Sequence, residues 1–264
     1  MLYISKMKLF NKIFYRHAGN SDNPEGMSDS ERHMNNDIFS NLISPGDLVF
    51  DVGANVGSRT RLFLELGANV ISVEPQETCA VVLQELRNKI ILAENQSLVV
   101  IQKALGESVC ETEMIMSNAS VLSTLSKEWI EVMTKSGRFN NYSWSESVPV
   151  SVTTLDKLIE EHGTPSYVKI DVEGYEYEVL KGLTKPIKYI SLEFAPEFLH
   201  KTYKCIEYIE SLGEVVFNYS LGESMKYNLN AYVTAGEIIN ILDSYSKDYK
   251  IFGDIYCQFV KLDS

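Results

Sequence analysis

Short apolar runs alternate along this chain with segments whose apolar residues recur at helical spacing. The runs at 48–53 (LVFDVG), 69–75 (NVISVEP), 98–106 (LVVIQKALG), 165–174 (PSYVKIDVEG) and 187–196 (IKYISLEFAP) each read as a buried strand. Helical spacing follows the first run through 59–67, with Gly67 as a C-cap, and the second through 76–95. The stretch TTLDKLIEEHG predicts a helix ending at Gly163, and YEYEVLKGL predicts another after the fourth strand. Residues 107–152 break the rhythm and predict short alternating strands, a serine-rich turn and a short helix. Two more strands are expected at 214–220 and 255–262, with a helix near 235–246 between them. Upstream, a turn-rich loop at 20–27 precedes Ser28 or Asp29, either of which can cap a helix running to about Leu42.

Strands that alternate with helices predict an α/β fold with a mostly parallel sheet and helices on both faces. Ligands of such sheets bind beyond the carboxyl ends of the strands. Asp51, Glu74, Asp171 and Glu193 all fall at those ends. Four acids at four strand ends form a constellation.

Composition narrows the ligand. The 264 residues carry a formal net charge of -12, which disfavours nucleic acid and anionic lipid as partners. The basic residues Lys6, Lys8, Lys12 and Arg16 are a local exception. They also interrupt the apolar residues there, so the start lacks the unbroken stretch of a signal peptide. No run of about 18 apolar residues is present, so no transmembrane helix is expected. Cys79, Cys110, Cys205 and Cys257 are scattered, which suits reduced thiols and a cytoplasmic location.

The first turn reads Gly53-Ala54-Asn55-Val56-Gly57, with Asp51 two residues ahead of the first glycine. A dinucleotide turn would read Gly-x-Gly-x-x-Gly and offer a helix N-terminus to a pyrophosphate. An acid beside the turn suits a cation instead. S-adenosylmethionine carries an ammonium, a sulfonium and no phosphate. Asn55 replaces a middle glycine because Asn tolerates the left-handed region better than most residues. Glu74, at the end of the next strand, is placed to accept the ribose hydroxyls of an adenosine.

The motifs FDVGANVG, VISVEP, KALGE, TTLDKL and KIDVEGYEYEVLKGL, in that order, resemble the FkbM family of S-adenosylmethionine-dependent methyltransferases. The resemblance covers about 47–193, and GDIYCQFVK resembles the family's last strand. It implies a class I methyltransferase-like (Rossmann-like) sheet of seven strands, mostly parallel, with an antiparallel last strand and helices on both faces. It implies S-adenosylmethionine bound by Asp51, Gly53, Ala54, Asn55, Gly57, Glu74, Pro75, Ala104 and Leu105. It also implies O-methylation of a hydroxyl on a small molecule or glycan. The methyltransferase domain is expected over 44–264. Residues 1–43 are expected to form a helical segment that packs on it or covers the substrate. The segment 196–248 carries no motif and is expected to cover the substrate too.

An alcohol acceptor must lose its proton at or near transfer, which calls for a base or a metal. Asp171, Glu173 and Glu193 are the candidate catalytic acids, and Glu176 is read as a helix-dipole residue. The same carboxylates could hold an oxygen-ligated divalent metal such as magnesium, since no histidine joins them. His162 reads as structural, and His17 and His33 as surface residues or a reserve base. The serine-rich stretch 117–126 is a loop or a wall of the site. Tyr142, Trp144, Tyr175 and Tyr177 could form an aromatic wall or belong to the core. Two competing readings are an NAD(P)-binding oxidoreductase and a non-catalytic protein that retains the fold.

Overall fold

The structure is a computed structural model and describes residues 37–262. Seven strands form the main sheet, and their order shows how the site is made. In chain order they are β1 (Leu48–Val52), β2 (Asn69–Val73), β3 (Leu98–Ile101), β7 (Tyr167–Ile170), β8 (Tyr189–Phe194), β9 (Val215–Leu221) and β10 (Gly253–Phe259). In space the order is β3-β2-β1-β7-β8-β10-β9. All neighbours are parallel except β10, which runs antiparallel to both β8 and β9. The order reverses direction between β1 and β7, and a ligand crevice opens at such a switch point.

The two faces of the sheet differ chemically. One carries Phe50, Val52, Val168, Ile170, Ile190, Leu192, Ile255 and Cys257, all buried in the larger core. Helices α5 (Leu155–His162), α6 (Glu176–Leu180), α7 (Leu199–Leu212) and α8 (Ala235–Asp243) pack there through residues such as Leu158, Val179, Ile206 and Ile238. Strand register places Ser72, Asp51, Lys169, Ser191, Tyr256 and Asn218 side by side on the opposite face. That face is covered by α1 (Asp37–Leu42), α2 (Ser58–Glu65) and α3 (Glu77–Lys89). Phe39, Phe63, Tyr167 and Tyr256 interlock there edge to face, with Phe39 and Phe63 centroids 5.3 Å apart. Strands buried on both faces usually read as continuous apolar runs. The polar row departs from that pattern, and its members are satisfied by hydrogen bonds: Asp51 and Ser72 with the Thr60 hydroxyl, Ser191 with the Tyr167 hydroxyl, and Asn218 with the Leu229 carbonyl.

The expected strand at 98–106 is two pieces. β3 ends at Ile101, and β4 (Ala104–Leu105) pairs with β6 (Trp144–Thr153) in a second sheet of order β4-β6-β5. The segment expected to hold short strands holds long ones, since β5 (Cys110–Ser117) pairs antiparallel with most of β6. Between them lie a 3-10 turn (Ser120–Leu122) and α4 (Lys127–Ser136), capped by the Ser126 hydroxyl, which accepts from the Trp129 amide at 3.1 Å.

The segment after Pro196, expected to cover the substrate, adds a helix to the core and brings Glu223 to the cleft described below. α7 buries Leu199, Cys205, Ile206 and Ile209 against the sheet. The beginning of the helix expected from Ser28 or Asp29, together with His17, His33 and the basic start, lies outside the described residues. Among the described residues, no helix is long and apolar enough to cross a membrane.

Candidate active site

The turn after β1 is held by its neighbour strand: the Gly53 and Ala54 amides donate to the Val73 carbonyl at 2.9 and 3.1 Å. Gly53 has φ +78, and a Cβ there would stand 1.8 Å from the Asp171 carbonyl oxygen. What approaches Gly53 is thus the protein's own backbone, at the turn after β7. Gly53 also lines the cleft described next. Gly53→Val should displace the Asp171 turn, lowering thermal stability and cofactor affinity together. Gly46 is the control, because it shares the left-handed backbone (φ +89) with nothing within 4 Å of its Cβ position. Gly46→Ala should show only the strain of that backbone, about 1–2 kcal/mol. Equal destabilisation of Gly53→Ala and Gly46→Ala in urea melts would refute the contact argument.

A cleft of about 810 Å³, open to solvent, runs along the carboxyl ends of β1, β2, β7 and β8. Its walls include Gly53, Asn55, Glu74, Pro75, Ala104 and Leu105 from the expected cofactor set, and Asp171, Glu173 and Glu193 from the expected acids. Asp51, Ala54 and Gly57 are not among the lining residues. Asp51 is fully buried behind the turn, where its Oδ2 accepts from the Thr60 hydroxyl at 2.6 Å. Burial pushes its pKa up, while Lys169 and Thr60 oppose the shift. Gly57 has φ +87 and packs on α3, where an added Cβ would meet Leu83 at 2.7 Å.

Glu74 is 2% exposed and reaches the cleft. Its Oε2 accepts from the Asn55 amide at 2.9 Å and its Oε1 from the Gln76 amide at 2.8 Å. Burial pushes its pKa up to about 7, against the pull of those bonds. Asn55, at φ +46, is left-handed and turns its amide toward Glu74.

Across the cleft, one carboxylate oxygen each of Asp171, Glu173 and Glu193 lies within 4.8 Å of the others. All three are half-buried. Lys169 Nζ donates to Asp171 Oδ2 at 2.6 Å, and its side chain is 6% exposed. Burial opposes the lysine's charge, but Asp171, Asp51 and Asp254 outweigh it and raise the pKa. Glu173 is held well above the ordinary carboxylate range by burial and by Asp171 and Glu176. Glu193 is raised likewise, by burial and by Glu173, Asp171 and Asp254. Glu173 and Glu193 therefore hold a proton more tightly than ordinary carboxylates do. The three oxygens could also ligate a divalent cation, although Lys169 already holds one of the carboxylates.

Glu176, expected to serve the helix dipole, also braces the acid turn. Its Oε1 accepts from the Val172 and Gly174 amides, each at 3.1 Å, and burial pushes its pKa up to about 7. Thr124 fixes the same turn by donating its hydroxyl to the Glu173 carbonyl at 2.7 Å. The serine-rich stretch is a wall of the cleft through Ser120, Ser123 and Thr124. The four aromatic residues do not form one wall. Tyr175 lines the cleft, Tyr142 and Trp144 pack with Trp129 and Phe139, and Tyr177 packs edge-on against Tyr208. His162 ends α5, and His200 pairs with Glu128 at 2.8 Å; neither lines the cleft.

Lys169, Gln76, Lys103 and Glu223 are site residues that sequence reasoning passed over. Lys169 left a signal, being a lysine inside a run that reads as a buried strand.

The α4 region is tied to the sheet by Arg138. It forms a two-pronged pair with Glu197 at 2.8 and 2.7 Å and donates to the Ile251 carbonyl at 2.8 Å. The Glu197 side chain is 2% exposed. Arg138→Ala would strand a buried carboxylate, so a loss of about 3–5 kcal/mol in unfolding free energy is expected. A urea titration showing a loss below about 1 kcal/mol, the value of a surface pair, would contradict this.

The chain is similar in fold to precorrin-6y C5,15-methyltransferase from Geobacter metallireducens GS-15, at 10% identity and TM-score 0.44, with 90% of this chain and 94% of that chain covered. It is also similar to an rRNA methylase from Streptococcus thermophilus, at 10% identity and TM-score 0.44 with 89% and 100% covered. A third is the magnesium protoporphyrin IX methyltransferase of Synechocystis PCC 6803 with bound SAM, at 12% identity and TM-score 0.41 with 92% and 88% covered. No curated protein matches in sequence. The profile of the methyltransferase FkbM domain matches residues 51–243, a span that holds both strand-end turns and all the acids of the cleft, and the chain therefore belongs to the FkbM methyltransferase family.

Proposed function

We propose that this protein is an S-adenosylmethionine-dependent O-methyltransferase acting on a hydroxyl of a small molecule or glycan. One observation carries the reading: Glu74 lines one side of the cleft, and the Asp171, Glu173 and Glu193 carboxylates converge on the other. The residues fit the cofactor chemically. Glu74 has lone pairs left for two ribose hydroxyls after accepting its two amides. The acid-rich wall suits a sulfonium and repels a pyrophosphate, which opposes the NAD(P) reading. When bound, S-adenosylmethionine supplies a methyl group already attached to a good leaving group. The protein then has to align the acceptor and receive its proton. Glu173 and Glu193, with raised proton affinity, are the proposed receivers, and Asp171 stays paired with Lys169. With the donor bound, one of these carboxylates would receive the acceptor's hydroxyl proton. Free cysteines, three of them buried, suit a cytoplasmic setting.

Calorimetry with S-adenosylmethionine, S-adenosylhomocysteine, NAD and NADP tests the cofactor. Binding of the first two alone is expected; binding of NAD or NADP alone would overturn the proposal. Incubation of a metabolite pool with methyl-labelled donor should then label an acceptor in an alkali-stable ether linkage. Label on nitrogen or carbon would overturn the O-methyl assignment.

A further inference from the structure

Glu223 follows β9 and enters the cleft from that edge of the sheet, whereas Glu74 ends β2 near the other edge. The Glu223 side chain is 41% exposed, so a molecule in the cleft can reach it. Its Oε2 accepts from Arg59 Nη2 at 2.5 Å, which leaves the lone pairs of Oε1 to offer. The holder is itself held. The Arg59 side chain is mostly buried, donates from Nη1 to Met225 Sδ at 3.4 Å and lies 5.7 Å over the Phe39 ring. Gly222 (φ +54) and Met225 (φ +50) flank Glu223 with left-handed backbone, and the Gly222 amide donates to the Phe252 carbonyl at 2.7 Å. Met225 is not a glycine, so its backbone is strained, and such strain persists only where the surroundings fix it. These devices fix the direction of one accessible carboxylate. A recognition group gains from such preorganisation, whereas an ordinary surface ion pair gains little.

Its place in the sheet says what Glu223 recognises. Asp254 pairs in register with Glu193 on one side and with Ser220 on the other, and the charge of Glu223 acts on Asp254. Glu223 thus joins the half of the cleft that holds the proposed proton receivers. We propose that Glu223 binds the acceptor: Oε1 accepts a hydrogen bond from a second donor group, a hydroxyl or an ammonium, carried near the hydroxyl that is methylated. This rests on the methyltransferase reading above. It makes the acceptor a polyol or an amino alcohol, of which sugars and amino sugars are examples. A carboxylate or phosphate in that place would face Glu223, Glu193 and Asp171 and be repelled. Lys103 also lines the cleft, but it stands in the turn after β3, at the opposite end of the strand order, and does not relieve this repulsion.

The test gives wild type and Glu223→Gln a methyl-labelled donor and a dilution series of an aqueous metabolite extract, and separates the labelled products by ion exchange. Wild-type label should run with neutral compounds if the second donor is a hydroxyl, and on the cation exchanger if it is an ammonium. In Glu223→Gln the amount of extract that gives half the plateau rate should rise by about tenfold or more, with a much smaller change in the plateau. Calorimetry should find the affinity of the variant for S-adenosylhomocysteine within about threefold of wild type. Circular dichroism and the melting temperature check that the variant folds. If it does not, Arg59→Met/Glu223→Met, which removes the pair whole, replaces it. Label on compounds held by the anion exchanger would overturn the inference, and so would an unchanged half-saturating amount. A loss of S-adenosylhomocysteine affinity as large as the loss for the extract would assign Glu223 to the donor, again against the inference. Bound S-adenosylhomocysteine with no label in any fraction would also overturn it. Failure of wild type to bind S-adenosylhomocysteine would instead sink the methyltransferase reading beneath it.

Discussion

The double variant Glu173→Gln/Glu193→Gln is expected to lower methyl transfer by about 10²–10⁴-fold, the usual contribution of a positioned base. Its affinity for S-adenosylhomocysteine should stay within about threefold. Amides keep the shape of the two side chains and cannot receive the acceptor's proton. Both carboxyls are raised by burial and by neighbouring charge, Glu173 by Asp171 and Glu176 and Glu193 by Glu173 and Asp171, so they titrate as a pair. The sign of the pH dependence follows. The base works only when ionised, so wild-type turnover should fall as pH drops through a value well above the ordinary carboxylate range. Asp171→Asn acts differently, because it leaves the buried Lys169 ammonium without its partner. That variant should lose stability as well as rate, and Lys169→Met in the same background should recover part of the stability. A metal mechanism separates cleanly: EDTA would abolish turnover and magnesium restore it. Wild-type turnover by the double variant would show that these acids are not the base.

Glu74→Gln should weaken S-adenosylhomocysteine binding by more than about tenfold, or about 1.4 kcal/mol. The ribose hydroxyls are donors, and an ionised carboxylate is their stronger acceptor. Burial places the Glu74 pKa near 7, so wild-type affinity should rise as pH increases through that region, with release of a proton on binding. The variant should show a flat profile over the same range. The unliganded protein should follow the opposite course. Glu74 and Glu176 both bind a proton more tightly folded than unfolded. Their contribution is fully present below the unfolded value and is lost as pH rises through about 7. Calorimetric titrations at several pH values, with urea melts beside them, check both trends. A pH-independent affinity in wild type would contradict the assignment of Glu74.

The main sheet and its acids were legible because their signals are local. Asp51, Glu74, Asp171 and Glu193 end apolar runs, and an acid at the end of such a run can be read without knowing its neighbours. The two antiparallel pairings at β10 were implied only by the family resemblance. α7 escaped because it starts without a side-chain cap and spreads its apolar residues among lysine, tyrosine and glutamate. The bend after Ile101 falls at Gln102 and Lys103, the polar pair inside LVVIQKALG, but only pairing with β6, far along the chain, shows that Ala104 and Leu105 leave the sheet. Lys169 shows the limit most plainly. Its presence in a strand was visible, but Asp51 and Asp254, which make its burial tolerable, come from strands that only the fold brings together. The withdrawal of Asp51 behind the turn has the same origin. Thr60 on α2 claims the carboxylate, and no pattern in the turn itself announces that.

The contact between Gly53 and the Asp171 carbonyl has a kinetic meaning. Two turns that meet backbone to backbone, with no room for even a methyl group, pass displacement on instead of absorbing it. Whatever settles the first turn also sets the second. For the proposed reaction the expected result is an ordered pattern in initial-rate kinetics, with S-adenosylhomocysteine competitive against the donor and not against the acceptor; a random pattern would show that the two turns do not act together.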